Sequence, residues 1–348
     1  MTRVISVKLA QYVFIAILFC GVMVSACVSQ APPVKQVPQA TALTTVKVAY
    51  QPTTSNGPLY IAIDEGFFAK QGIDVEFEKS TSSAAALPLL VSGDVAASTG
   101  PLKTGLLNAV LKGEHIRIVA DKGSVSSGSC IVYAFMVRKD LFDKGIVTNV
   151  SDLKGRKIAE RDSDYDLFRV LAVGNLTKDD VETVDLDFPT TVSAFQNGAI
   201  DAGLLTEPYI TQVENSGSAV VLVPGQDFVP GWPIPLYYGP AILDKNPDLG
   251  RRFMVAYLQG VKQYNEGKTE RNLGIIGNYT HLDRDLLNQS CWWPIAADGN
   301  PSRQPVREYT DWMYANKIIS QNVNDDQLFD MSYVTYANGV LQNATNNR

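Results

Sequence analysis

Five consecutive residues, Asp162-Ser163-Asp164-Tyr165-Asp166, set three carboxylates around one aromatic ring. Such a group can accept hydrogen bonds from a polar guest and lie flat against it. Tyr60, Glu207, Tyr209, Trp232, Tyr237 and Tyr238 offer the same two chemistries elsewhere in the chain. Flat π faces beside acidic acceptors suit a planar nitrogen heterocycle carrying N–H or O–H donors. Each residue also has a plain reading. Aromatics pack cores and hinges as readily as ligands, and Asp162 or Asp164 at a helix start is as readily a cap. Trp292 and Trp293, as sequence neighbours, cannot share a face and read as packing.

Groups for covalent or metal chemistry are scarce. The histidines are His115 and His281, and the cysteines are Cys20, Cys27, Cys130 and Cys291, with no CxxC pair. A zinc site needs about three or four N or S ligands, so no metal, cofactor or catalytic residue is expected. A net charge of −6 argues against a nucleic-acid partner, which requires a basic face. The 348 residues are 45% apolar, enough for two globular bodies.

The elements that must position these groups begin after residue 45. Before it, Arg3 and Lys8 precede an apolar run over 12–24, about 13 residues where a membrane span needs about 20. Val24-Ser25-Ala26-Cys27 follows. The order basic, apolar, small-Cys resembles the lipobox of bacterial lipoproteins, which implies cleavage before Cys27 and acylation of Cys27; the alternative is an uncleaved anchor with an incidental cysteine. Residues 1–26 thus read as signal peptide. Residues 27–45 read as lipidated cysteine and tether, too rich in Pro, Gln, Ser and Thr to bury a core. Cys130 and Cys291 then remain, able to pair or to stay as buried thiols.

From residue 46 the apolar pattern predicts strands at 46–50, 73–77, 95–98, 116–120 and 131–137. Helices are predicted at 59–68, 84–91 and 102–111 between them. A second set follows: helix 165–173, strand 184–188, helix 190–196, strand 202–205, a helix after Pro208, and strand 219–223. Repeated β-α-β units imply mainly parallel sheets, and two sets imply two lobes. From about residue 248 the pattern is helical.

Five stretches carry a family resemblance. They are Tyr60-Ile61-Ala62-Ile63-Asp64-Glu65-Gly66-Phe67-Phe68 with Gly72-Ile73-Asp74-Val75; Gly93-Asp94-Val95 leading to Ser98-Thr99-Gly100; Asp152-Leu153-Lys154-Gly155-Arg156-Lys157-Ile158-Ala159; Ala194-Phe195-Gln196-Asn197-Gly198-Ala199-Ile200-Asp201-Ala202; and Glu207-Pro208-Tyr209. Their order resembles the SsuA/TauA-like solute-binding proteins of ABC importers, a group that includes receptors for thiamine pyrimidine precursors, riboflavin and sulfonates. The resemblance spans about 46–209. It implies an α/β, bilobal periplasmic-binding-protein type II-like fold, two doubly wound lobes on a hinge. Lobe one would take 46–135 and 237–348, lobe two 136–236, with crossings near 132–138 and 236–241.

Ligands of doubly wound sheets sit beyond the carboxyl ends of strands, which selects the loops 51–60, 80–84, 98–103 and 161–165. The expected ligand residues are therefore Asn56, Tyr60, Ser82, Ser83, Ser98, Thr99, Asp162, Asp164, Tyr165, Glu207, Trp232 and Tyr237. Helix N-termini in anion-binding relatives act as donors, and the carboxylates of the fourth loop would repel an anion. Riboflavin or a thiamine pyrimidine precursor is accordingly the expected ligand, with a sulfonate, nitrate or taurine-type anion as the alternative. The implied partners are an ABC permease with its cytoplasmic ATPase, and a membrane reached only through the lipid of an otherwise monomeric protein. A pyrimidine-synthase-like enzyme and a transporter-free sensor are the competing classes.

Overall fold

The structure of the protein, a computed structural model, describes residues 42–346 apart from positions 81, 127, 129, 162 and 163. The signal-like segment, Cys27 and Asp162 lie outside the described residues, as does the Asp164 side chain.

Ten strands follow in chain order: β1 Thr44–Tyr50, β2 Ile73–Lys79, β3 Ala97–Thr99, β4 Arg117–Ser124, β5 Tyr133–Arg138, β6 Lys157–Glu160, β7 Glu182–Asp185, β8 Ala202–Thr206, β9 Ala219–Pro224 and β10 Pro233–Tyr238. They form two five-stranded sheets, ordered β2-β1-β3-β10-β4 and β7-β6-β8-β5-β9. Each sheet repeats one plan. A parallel core (β2-β1-β3, β7-β6-β8) is extended by one inserted strand that runs antiparallel to both neighbours. The inserted strands are β10 and β5, each arriving directly from the other lobe.

The crossings therefore occupy 125–132 and 225–232, several residues before the expected 132–138 and 236–241. Residues 133–135 pair in the second sheet, and 233–236 pair in the first. The shift has a physical cause. Pro233 and Pro235 lack the N–H of a central strand and argue against one, but a register irregularity falls between them and relieves the ladder. Phe188, expected at a strand end, instead opens a helix, Phe188–Asn197. Asp187 caps it by accepting from the Thr190 N–H at 2.8 Å.

In lobe one the long helix Pro247–Tyr264, which buries Phe253, Met254, Tyr257 and Val261, packs on the short helix Gly57–Asp64. The approach depends on Gly260, where an added Cβ would sit 2.1 Å from the Pro58 carbonyl oxygen. Gly260→Ala should therefore cost about 1–3 kcal/mol or more, as overpacking against backbone does. A urea titration with unchanged slope and a lowered midpoint is the expected result.

The carboxyl-terminal helices do more than complete lobe one. Helix Gln304–Ala315 sends Tyr309 and Trp312 to within 4.9 and 5.1 Å (ring centroids) of Tyr165, which starts the lobe-two helix Asp164–Val173. A disulfide joins Cys130, in the first crossing, to Cys291. Among the described residues no helix is long and apolar enough to cross a membrane.

Candidate ligand-binding cleft

A cleft of about 820 Å³, open solvent at its mouth included, lies between the two sheets. Lobe one contributes Gln51, Thr53, Ser55, Asn56, Ser83, Thr99, Gly100, Pro101, Lys103 and Lys122; lobe two contributes Arg161, Asp166, Phe188, Leu204 and Thr206. Tyr133, Trp232 and Ile234 come from the crossings and the strands they feed, and Trp293 from the carboxyl-terminal segment.

Local chemistry shapes these walls. After β1 the chain turns because Asn56 Nδ2 donates to the Gln51 carbonyl at 2.6 Å, while Thr53 and Ser55 share a hydroxyl hydrogen bond at 2.9 Å. Pro58, which needs no N–H partner in a first helical turn, then starts the helix. After β3, Gly100 has φ +148°, and a Cβ there would meet Ser83 Oγ at 2.5 Å. Only glycine lets these two walls touch. Gly123, at φ +134°, likewise makes room for Trp293, whose Cβ would lie 2.9 Å from an added methyl.

Lys122 is the unusual member. It is 2% exposed, and its Nζ donates to Ser55 Oγ at 2.6 Å. Burial pushes its pKa down to about 7. The adjacent Asp121 is buried too, but its carboxylate is taken by the N–H groups of Gly123 (3.0 Å) and Ala296 (2.7 Å). A buried ammonium held by one hydroxyl is costly unless something anionic joins it.

Asp166 sits across the cleft. Its Oδ2 accepts from the Tyr133 hydroxyl at 2.9 Å and lies 3.8 Å from Lys103 Nζ, while its buried Oδ1 has no partner among the described residues. Trp232 Nε1 is likewise buried without a partner among the described residues, whereas the Asn56 side chain faces the buried Tyr60 hydroxyl. The described lining thus holds three cations, Lys103, Lys122 and Arg161, against one carboxylate. It also presents one open acceptor, Asp166 Oδ1, and one open donor, Trp232 Nε1.

Of the residues expected from sequence, Asn56, Ser83, Thr99 and Trp232 line this cleft, and Ser98 and Tyr237 line a smaller cavity beside it. Four others are placed elsewhere. Tyr60 is buried in the lobe-one core, stacked 4.9 Å from Tyr279. Ser82 caps the helix Ser83–Ser92 by accepting from Ala85 N–H. Tyr165 stands 5.5 Å from Trp232, outside the lining. Glu207 is 3% exposed and spends its oxygens on Thr211 N–H (3.1 Å), Thr211 Oγ1 (2.8 Å) and Cys291 N–H (3.0 Å). Its strand-end position is right, but the side chain turns into the protein to tie the second sheet to the disulfide segment. Burial pushes its carboxyl above the usual range. Glu207→Gln would set amide hydrogens against N–H donors, so a loss of about 1–3 kcal/mol in stability with ligand affinity changed less than twofold is expected. Paired melts and calorimetry check this.

Lys122, Phe188, Tyr133 and Trp293 were not foreseen, whereas Lys103 and Arg161 stand at the ends of selected loops and Asp166 in the acidic run, none of the three singled out as a ligand residue. The strand-end rule reaches Lys122, two residues past the predicted strand 116–120. Trp293, read as packing, is in the cleft, while its neighbour Trp292 stacks 5.1 Å from Tyr264. Adjacent residues do point apart, and here one of the two directions is the site.

Two α/β lobes, linked by two crossings and enclosing a polar and aromatic cleft, define the class of two-lobed solute-binding folds. The chain belongs to the NMT1/THI5 like family, whose model matches residues 53–267. It is 30% identical over 179 residues to the taurine-binding periplasmic protein of Escherichia coli (strain K12), half of this chain and 52% of that one. It is 24% identical over 230 residues to the riboflavin-binding protein RibY of Chloroflexus aurantiacus, 62% of this chain and 61% of that one. Among solved structures it resembles the periplasmic nitrate-binding protein NrtA of Synechocystis PCC 6803, with TM-score 0.70, 17% identity, and 87% and 90% of the two chains covered. The desulfurization enzyme DszB also shares the fold, with TM-score 0.61, 14% identity, and 85% and 99% covered. Fold alone therefore does not separate receptor from catalyst.

Proposed function

We propose that this protein is the extracytoplasmic receptor of an ABC importer, tethered through Cys27, and that its cleft captures a small organic anion with a flat or apolar body. The single observation carrying the ligand assignment is Lys122, a buried cation at the cleft wall whose one hydrogen-bond partner is a serine hydroxyl. An anionic group there would form charge-assisted bonds with Lys122 and Ser55. The body would lie against Trp232, Phe188 and Trp293, and N–H or O–H groups on it would find Asp166 Oδ1. The acidic loop was expected to drive anions away; against it stand Lys103, Lys122 and Arg161 of the described lining, while Asp162 and the Asp164 side chain lie outside the described residues. A receptor rather than an enzyme is supported by the taurine- and riboflavin-binding relatives. The described lining also offers neither cysteine nor histidine.

The second reading, riboflavin or a thiamine pyrimidine precursor, draws on the aromatic walls and on Asp166 as an acceptor. Proton linkage separates the two. Burial pushes Lys122 down to about 7, and a bound anion would raise that value, so binding takes up a proton above neutrality. Affinity for an anion should be full below pH 7 and fall by up to about tenfold per unit as pH rises beyond it. Calorimetry with taurine, longer alkanesulfonates, riboflavin and aminopyrimidines at pH 6 and 9 tests this. Tight, pH-independent binding of a neutral heterocycle alone would replace the anion reading.

A further inference from the structure

Beside the main cleft, within lobe one, lies a second cavity of about 490 Å³, its opening included. Ser83, Thr99, Pro101 and Lys103 line both spaces, so the second adjoins the first. Its inner wall is apolar, made by Leu87, Leu90 and Leu106. Two polar groups interrupt it. Ser98 is 6% exposed, and Tyr237 is 2% exposed with a hydroxyl that has no hydrogen-bond partner among the described residues. A buried phenol normally finds a partner, and this one lines a mainly apolar space.

An apolar cavity on the order of 150 Å³ takes up a benzene-sized guest; the enclosed space here, about 90 Å³, is smaller and suits a short, slender chain rather than a ring. We propose that the side cavity is a specificity subsite that receives an apolar arm of the bound molecule and hydrogen-bonds its far end through Tyr237. The assignment rests on the organic-anion reading of the main cleft for where the head group sits, but not for what fills the side cavity. It implies a ligand longer than a bare inorganic anion: a charged head near Lys122, a short hydrocarbon stretch past Ser83 and Lys103, and a terminal hydroxyl or carbonyl.

Gly105 gives a clean probe. It lines the cavity, and an added Cβ would rest in ordinary contact, 3.5 Å from Leu87 Cδ2, so Gly105→Val narrows the space without a backbone clash. Calorimetry should show hexanesulfonate binding the wild type at least about tenfold tighter than ethanesulfonate, since each added methylene is buried. Gly105→Val should erase that preference while leaving ethanesulfonate unchanged. Tyr237→Phe, nearly isosteric, should keep the preference for hexanesulfonate but lose several-fold affinity for 6-hydroxyhexanesulfonate. Equal chain-length ratios in wild type and Gly105→Val would overturn the subsite. If no sulfonate binds at all, the anion reading fails on its own, and crystals soaked in 1-pentanol decide the remainder. Pentanol bonded to Tyr237 in the wild type and absent from Gly105→Val sustains the subsite, and an unfilled wild-type cavity refutes it.

Discussion

Lys122→Met is expected to weaken binding of the anionic ligand by one to two orders of magnitude and, in the same protein, to raise the melting temperature of the ligand-free form. The loss follows from removing a charge-assisted contact worth about 1.5–3 kcal/mol. The gain follows because the attraction of Asp121 offsets only part of what burial costs the ammonium, and a chain of similar length and no charge fills its place. Sign and window can be fixed. The folded pKa of about 7 lies below the ordinary lysine value of 10.5, so between them the unfolded chain holds a proton that the folded one has released. Wild-type stability should therefore rise with pH across that window, and the burden of charging Lys122 should be complete below it. The advantage of Lys122→Met should then be largest at pH 6 and shrink by pH 10. Melts across that range, with and without ligand, give both halves. A methionine variant that binds normally would remove Lys122 from the site, and one that melts lower throughout would show that the ammonium is satisfied by its surroundings.

The double replacement Cys130→Ser, Cys291→Ser should lower unfolding free energy by about 2–5 kcal/mol. The two cysteines are 161 residues apart in sequence, so the bond closes a long loop and restricts the unfolded chain strongly. Either single replacement should cost about as much as the pair. Reductant should bring the wild type down to the variants and leave the variants unmoved; denaturant titration with and without dithiothreitol measures this. Some affinity should be lost as well, because Cys291 stands two residues from Trp293 in the cleft wall and its N–H is held by Glu207.

Much of the architecture was legible from the residues. Strict alternation in β2 and the helical spacing from residue 59 mark half-buried elements, and their repetition announces two α/β lobes. β10 was hidden because Pro233 and Pro235 break the strand signature, and with it went the position of the second crossing. The site was harder to read. Asn56, Ser83, Thr99 and Trp232 follow from the rule that ligands gather at strand ends, because backbone position alone decides them. Glu207 shares that position, yet three donors inside the protein turn its side chain away. Lys122 fails to stand out for the opposite reason. A lysine beside an aspartate reads as a solvated surface pair, and only the fold reveals that the aspartate is engaged elsewhere and the lysine is sealed in.

The packing of Tyr309 and Trp312 on Tyr165 has a bearing on how the molecule moves. Tyr165 belongs to one half and backs directly onto Trp232 in the cleft wall. The two rings that clasp it come from a helix near the end of the chain. Any swing of the halves must slide or release this clasp, so the indoles of Trp232 and Trp312 would change surroundings with every capture and discharge of cargo. The protein thus carries its own optical gauge of gripping, readable as a shift in tryptophan emission without any added label.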